Sequence, residues 1–135
     1  PSATDWRDHN LFWVKDVSRS IDYLETRSDI DIEKLAFFGQ SWGGDLGPII
    51  LALEKRLKVG ILTGSGFLPF EIIRDVPEAD QINFAPRVTV PVLMLNGRYD
   101  TLKSVASAQI ASATRFRLCQ IMTIIRMVTL RPEAR

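Results

Sequence analysis

The chain has 135 residues, 46% hydrophobic and 24% charged, which fits one globular, soluble domain with a modest core. No apolar run approaches a membrane span, no basic-then-apolar leader opens the sequence, and a single cysteine, Cys119, excludes an internal disulfide and four-thiolate metal clusters. Seventeen basic residues against sixteen acidic ones give a net charge of +1, so bulk charge selects no partner.

Residues 5–26 read as an amphipathic helix. Trp6, Trp13, Val17, Leu24 and, at its edge, Ile21 share one face at helical spacing, and Thr4 or Asp5 is placed to cap it. Residues 28–33 form a polar turn, and 34–38 a strand. Residues 42–55 read as a helix with Pro48 in its first two turns. A second strand spans 57–63 and ends at Gly64-Ser65-Gly66. Residues 67–87 form a long connection with Pro69, Pro77 and Pro86 and one short helical piece. A third strand covers 90–95, nearly all apolar as a buried parallel strand should be. Residues 96–100 make a loop and 102–113 a helix. Beyond it lie five arginines (Arg115, Arg117, Arg126, Arg131, Arg135) and one acid, Glu133, a local charge of +4 that leaves −3 for residues 1–113. These arginines alternate with Phe116, Leu118, Ile121, Ile124 and Ile125 rather than forming a basic block, so nucleic acid is not an expected partner.

Strand, helix, strand, crossover, strand and helix spell an α/β class fold, a short parallel sheet flanked by helices. Ligands of such sheets sit beyond the carboxyl ends of the strands. Ser41 follows the first strand and Asp100 the third, so both fall on that edge. The first helix precedes a strand and therefore starts on the same edge, bringing Asp5, Asp8 and His9 to its level.

Gly39-Gln40-Ser41-Trp42-Gly43 is a G-x-S-x-G pentapeptide between an apolar strand and a helix. That is the setting of a nucleophile elbow, a sharp turn that pushes the serine hydroxyl clear of the backbone. Gly39 and Gly43 flank Ser41 where side chains are expected to collide across the turn. The plainer reading is a Gly-rich turn with an inert serine.

Serine needs an adjacent base, ordinarily a histidine oriented by a carboxylate. The one histidine, His9, has two readings: packing at the margin of the first helix's apolar face, or the base itself. Asp100 can be the orienting acid, a cap for the following helix, or both. Trp42, Phe67, Phe70 and Tyr99 can line a substrate pocket or serve as core. Asp29, Asp31 and Glu33 lack the glycine and final glutamate of a calcium loop and read as a solvated turn. No phosphate-cradling loop follows any strand, and neither metal nor cofactor is expected.

Asp5-Trp6-Arg7-Asp8-His9, Leu24-Glu25-Thr26-Arg27, the Ser41 elbow and the segment from Val92 to Asp100 together resemble the α/β-hydrolase superfamily. Within it the chain is most similar to the dienelactone-hydrolase and prolyl-oligopeptidase-like branch. The resemblance covers about residues 5–112. It implies a partial α/β-hydrolase fold, with Ser41 as nucleophile, the Trp42 backbone N–H as one oxyanion donor and Asp100 as the acid. The family's early strands, with their second oxyanion donor, and its late Gly-His have no counterpart in this sequence.

The expected activity is therefore that of a serine hydrolase, a carboxylesterase for small or short-chain esters with an incomplete or rearranged triad. The alternative is a non-catalytic remnant or binding and assembly module on the same half-fold. The expected setting is cytoplasmic, without a membrane partner. The whole chain, 1–135, reads as one truncated domain with a divergent tail over 113–135. Its first strand would have an unpaired edge and Trp6, Phe12 and Trp13 would lack cover, so a homo-oligomer, simplest as a dimer, is expected.

Overall fold

The computed structural model describes residues 2–67 and 76–103. The first helix, α1, runs over Ala3–Glu25 and is capped by Ser2 rather than by Thr4 or Asp5. The Asp5 N–H donates to Ser2 Oγ (3.1 Å), and the Ser2 N–H donates back to Asp5 Oδ2 (2.8 Å). This reciprocal box satisfies two backbone donors at once, which moves the start of the helix two residues upstream of expectation. The Ser2 N–H bond, first among the causes, also holds the Asp5 carboxyl below its ordinary range. Trp13, Val14 and Val17 pack on the core and Ile21 is fully inside it, whereas Leu11, Phe12 and Tyr23 face outward.

Asp31 accepts from the Glu33 N–H (3.1 Å) and initiates a single 3-10 turn, Ile32–Lys34. That turn consumes Lys34, so strand β1 is Ala36–Gln40, two residues later than its hydrophobic run suggested. The acidic cluster beside it is spent on ion pairs: Asp29 with Arg27, Asp31 with Lys34, and Glu33 with Lys58.

The helix expected over residues 42–55 is two pieces, α2 (Trp42–Asp45) and α3 (Gly47–Leu53). Pro48 has no N–H to offer the Gly44 carbonyl, so the ladder breaks there and restarts with Pro48 in the first turn of α3. Strand β2 is Val59–Thr63. The connection after it carries 3-10 turns at Pro77–Ala79 and Ala85–Arg87 around α4 (Gln81–Phe84). Strand β3 is Val92–Leu95, beginning after Pro91, which cannot donate to a ladder but accepts from the Gly60 N–H (2.9 Å). The helix expected at 102–113, the tail and Phe70 lie outside the described residues, apart from the bend at 101–103.

The three strands are parallel in the order β1-β2-β3, with Phe38 level with Ile61 and Ile61 level with Leu93. One face of the sheet carries the core. Leu62 and Val92 meet Leu46, Ile49, Ile50, Leu51 and Ala52 from α2 and α3, with Ile21 of α1 completing the cluster. The opposite face is not covered by any described helix: Phe38 is 63% exposed, and Ile61 and Leu93 are only half-buried. The strand sequences look suited to burial on both sides, yet the described helices and crossovers cover only one.

The far side of the molecule is held by Arg56. Its guanidinium forks onto both oxygens of Glu54 (2.8 and 2.6 Å) and reaches Asp22 (2.8 Å), Glu25 (3.1 Å) and the Ser18 carbonyl (3.3 Å). It thereby fastens the end of α3 to the second half of α1.

Candidate active site

Ser41 sits between β1 and α2 with φ 51° and ψ −117°, the only described non-glycine residue at positive φ. An L-residue pays for that conformation, and it persists here because both flanks are pinned. The Ser41 N–H donates to the Thr63 carbonyl of β2 (2.8 Å), and the Ser41 carbonyl accepts from the Asp45 N–H (2.9 Å). The residue is exposed, and among the described residues its Oγ makes no hydrogen bond. The turn geometry is that of an elbow.

The two glycines of the pentapeptide are not equivalent. A Cβ on Gly39 would stand 2.5 Å from the Gly43 carbonyl oxygen and 2.7 Å from its carbon, so β1 can meet the first turn of α2 only there. A Cβ on Gly43 would meet nothing within 4 Å, contrary to the collision expected at that position. The second tight position is Gly44, whose Cβ would fall 2.5 Å from Ser65 Cβ.

Trp42 is the first residue of α2, where helix geometry leaves its N–H without an intrahelical acceptor. The residue is 43% exposed, and its ring stands edge-to-face with Trp6 (5.1 Å) and Trp13 (6.2 Å) of α1. The start of α1 is therefore beside the elbow, as its topology demanded. His9 lies at the outer margin of this cluster, tilted against Trp13 at 5.7 Å and exposed. Its Nδ1 is 2.6 Å from the Asp5 carbonyl; a carbonyl only accepts, so Nδ1 carries the proton and Nε2 is the acceptor nitrogen of the neutral ring. No described hydrogen bond joins His9 to Ser41.

Asp100 is half-buried in the loop beyond β3, at the same carboxyl end of the sheet as Ser41 and with β2 between their strands. Its Oδ1 accepts the Leu102 and Lys103 N–H groups, both at 2.9 Å, so Asp100 does cap the turn that follows.

Phe67 is half-buried and, with Gly44, Pro48, Leu62, Ser65, Gly66 and Met94, lines a narrow apolar crevice behind the elbow. Tyr99 lines no described crevice; it is 86% exposed with the Arg98 guanidinium 5.8 Å from its ring.

Three residues that the sequence reading passed over tie the strand ends together. Asn96 clamps Ser65, donating to its carbonyl (2.5 Å) and accepting from its N–H (3.2 Å). Asp45, 2% exposed, accepts from the Gly66 N–H (3.0 Å) and from Lys103 Nζ (2.5 Å). The signal was present: Asp45 is an acid on the first turn of a helix whose next eight residues carry no charge.

No protein-family model and no curated protein matches the sequence. Solved structures do. A dipeptidyl aminopeptidase IV-like protein from Bacteroides ovatus ATCC 8483 superposes with a TM-score of 0.67 at 16% identity, over 81% of this chain and 18% of that one. A dienelactone hydrolase-like protein from Klebsiella pneumoniae subsp. pneumoniae MGH 78578 gives 0.64 at 18% identity, over 78% of this chain and 44% of the other. The Pyrococcus furiosus esterase Pf2001 gives 0.60 at 17% identity, over 75% and 46%. All three are α/β-hydrolases, so the chain has a partial α/β-hydrolase fold of the kind its motifs implied. It spans less than half the length of each.

Proposed function

We propose that this chain carries the nucleophile and the acid of a serine hydrolase that cleaves small or short-chain carboxylic esters. The observation that carries the reading is Ser41 itself: an exposed hydroxyl with no hydrogen bond among the described residues, held at φ 51° on a strand-to-helix turn. A fold tolerates that strain where it is functional. The α/β-hydrolase neighbours support hydrolysis as the reaction class, and one of them is named an esterase.

In this reading Ser41 Oγ adds to the ester carbonyl carbon as its proton passes to a base. The carbonyl electrons move to oxygen, and the Trp42 N–H receives the resulting oxyanion. Collapse expels the alcohol, which takes a proton as it leaves, and water then releases the acid from the acyl-serine. Asp100 is the acid of this reading, and in the described geometry the Asp5 carbonyl, not Asp100, accepts the His9 Nδ1–H. His9 is the histidine this chain offers, with Nε2 as its acceptor nitrogen. Esters suit such a site better than amides, because a leaving amine depends on a positioned acid and an alkoxide depends on it less.

A second reading, a non-catalytic binding module, is favoured by one observation: no hydrogen bond links Ser41 to His9 or Asp100 among the described residues. A fluorophosphonate probe with short-chain p-nitrophenyl esters separates the two. The expected result is stoichiometric labelling at Ser41, with ester turnover that falls at least 100-fold in Ser41→Ala. Absent labelling, or turnover that survives Ser41→Ala, would establish the non-catalytic reading.

A further inference from the structure

We infer that Asp45 and Lys103 form a clasp that fixes the Asp100 loop against the Ser41 elbow; its importance for reactivity rests on the hydrolase reading above, its geometry does not. The two residues are 58 positions apart and meet at 2.5 Å, Asp45 Oδ2 to Lys103 Nζ, with side chains only 1% and 15% exposed. Each also belongs to one half of the site. The Asp45 N–H donates to the Ser41 carbonyl, and the Lys103 N–H donates to Asp100 Oδ1. An uninterrupted path thus runs from Ser41 through Asp45 and Lys103 to Asp100. The second Asp45 oxygen takes the Gly66 N–H, drawing the end of β2 into the same knot.

A buried ion pair is a weak source of stability, because desolvation of two charges offsets most of their attraction. What it supplies is direction. An ammonium inside the fold has few places to go other than its carboxylate, so Lys103 cannot drift without leaving Asp45 buried and unpaired. Asp100 is three residues from Lys103 and accepts its backbone N–H. Asp45 and Lys103 are positioning residues, acting through the elbow and the acid rather than touching a substrate.

The test is Lys103→Met, with Lys103→Arg as the variant that keeps the charge. Amide exchange is read at Leu102, whose N–H is held by Asp100, and at the β2 amides as an internal standard. Exchange at Leu102 should accelerate at least 10-fold in Lys103→Met, with β2 unchanged, and return toward wild type in Lys103→Arg. Unchanged exchange at Leu102 overturns the clasp. Acceleration throughout β2 as well also overturns it, since the pair would then be supporting the whole fold. Phosphonylation of Ser41 is followed in the same proteins. A rate at least 10-fold lower in Lys103→Met, rescued by arginine, ties the clasp to reactivity, and equal rates refute that tie. If wild type is not labelled at all, the hydrolase reading fails, and the exchange result alone decides the clasp.

Discussion

Gly39→Ala is expected to destabilise the protein by about 3 kcal/mol, while Gly43→Ala, four residues on, leaves stability unchanged or raises it by up to about 1 kcal/mol. The added methyl on residue 39 meets backbone, not a side chain that could swing aside: the Gly43 carbonyl oxygen at 2.5 Å and carbon at 2.7 Å. Relief requires α2 to lift off β1, and α2 is fastened at its other end by the buried Asp45. At residue 43 the methyl enters open space on a helix, where alanine is the better residue. Urea midpoints of the two variants, with unchanged slopes, measure the difference. Equal midpoints would mean that β1 and α2 do not approach as closely as described.

Arg56→Ala is expected to cost about 2–3 kcal/mol and to change how stability depends on pH. Breaking a buried pair leaves the partner charge stranded, a loss of about 3–5 kcal/mol when burial is complete. Here Glu54 is 7% exposed, but Arg56 is 29% exposed and its other partners, Asp22 and Glu25, are 44% exposed, which lowers the figure. The guanidinium beside Glu54 pushes its carboxyl down from 4.5 to about 2. Asp22 is lowered as well, first by its hydrogen bond from Arg56 and then by Arg19. A carboxyl depressed in the folded state stabilises fully above its unfolded pKa. That contribution drains away as pH falls from about 4.5 to about 2. Wild type should therefore lose stability over that window, and Arg56→Ala should show a flatter profile across it. Denaturant unfolding at several acidic pH values checks both; parallel profiles would detach Glu54 from Arg56.

What could be read from the residues was what is local. The elbow is visible because its glycines, its serine and its flanking apolar runs all lie between Leu35 and Leu53. The parallel direction of the strands followed from their alternation with helices. The Ser2 cap was equally local, a serine three residues before an acid, but it stands four residues ahead of Trp6, the first apolar position of the helix face. The interruption at Pro48 follows from the missing N–H, which matters only once the Gly44 carbonyl is placed opposite it. Asp45 stood out as an acid ahead of an uncharged run, but its pairing with Lys103 was not legible, since a contact over 58 positions leaves no periodic trace. Tyr99 shows the converse. It adjoins Asp100 in sequence, but a loop residue can point anywhere, and this one points to solvent.

Among the described residues β1 is the border strand of the sheet, which gives it a two-residue ripple in its amide exchange. Leu35 and Ser41 bond toward β2, through the Leu35 carbonyl (2.9 Å to the Lys58 N–H) and the Ser41 N–H (2.8 Å to the Thr63 carbonyl). Alternation along the strand then turns the amides of Phe37 and Gly39 inward and those of Ala36, Phe38 and Gln40 outward. In a free chain the outward three should lose their protons quickly and the inward two slowly. The β2 amides, enclosed by a neighbour on each side, should be slow throughout. Association through this border, as expected of a homo-oligomer, would slow Ala36, Phe38 and Gln40 together as concentration rises. Exchange that stays alternating at every concentration would place any self-contact elsewhere. A single labelled residue cannot report this; the alternation can, because only a strand laid alongside β1 protects every second amide.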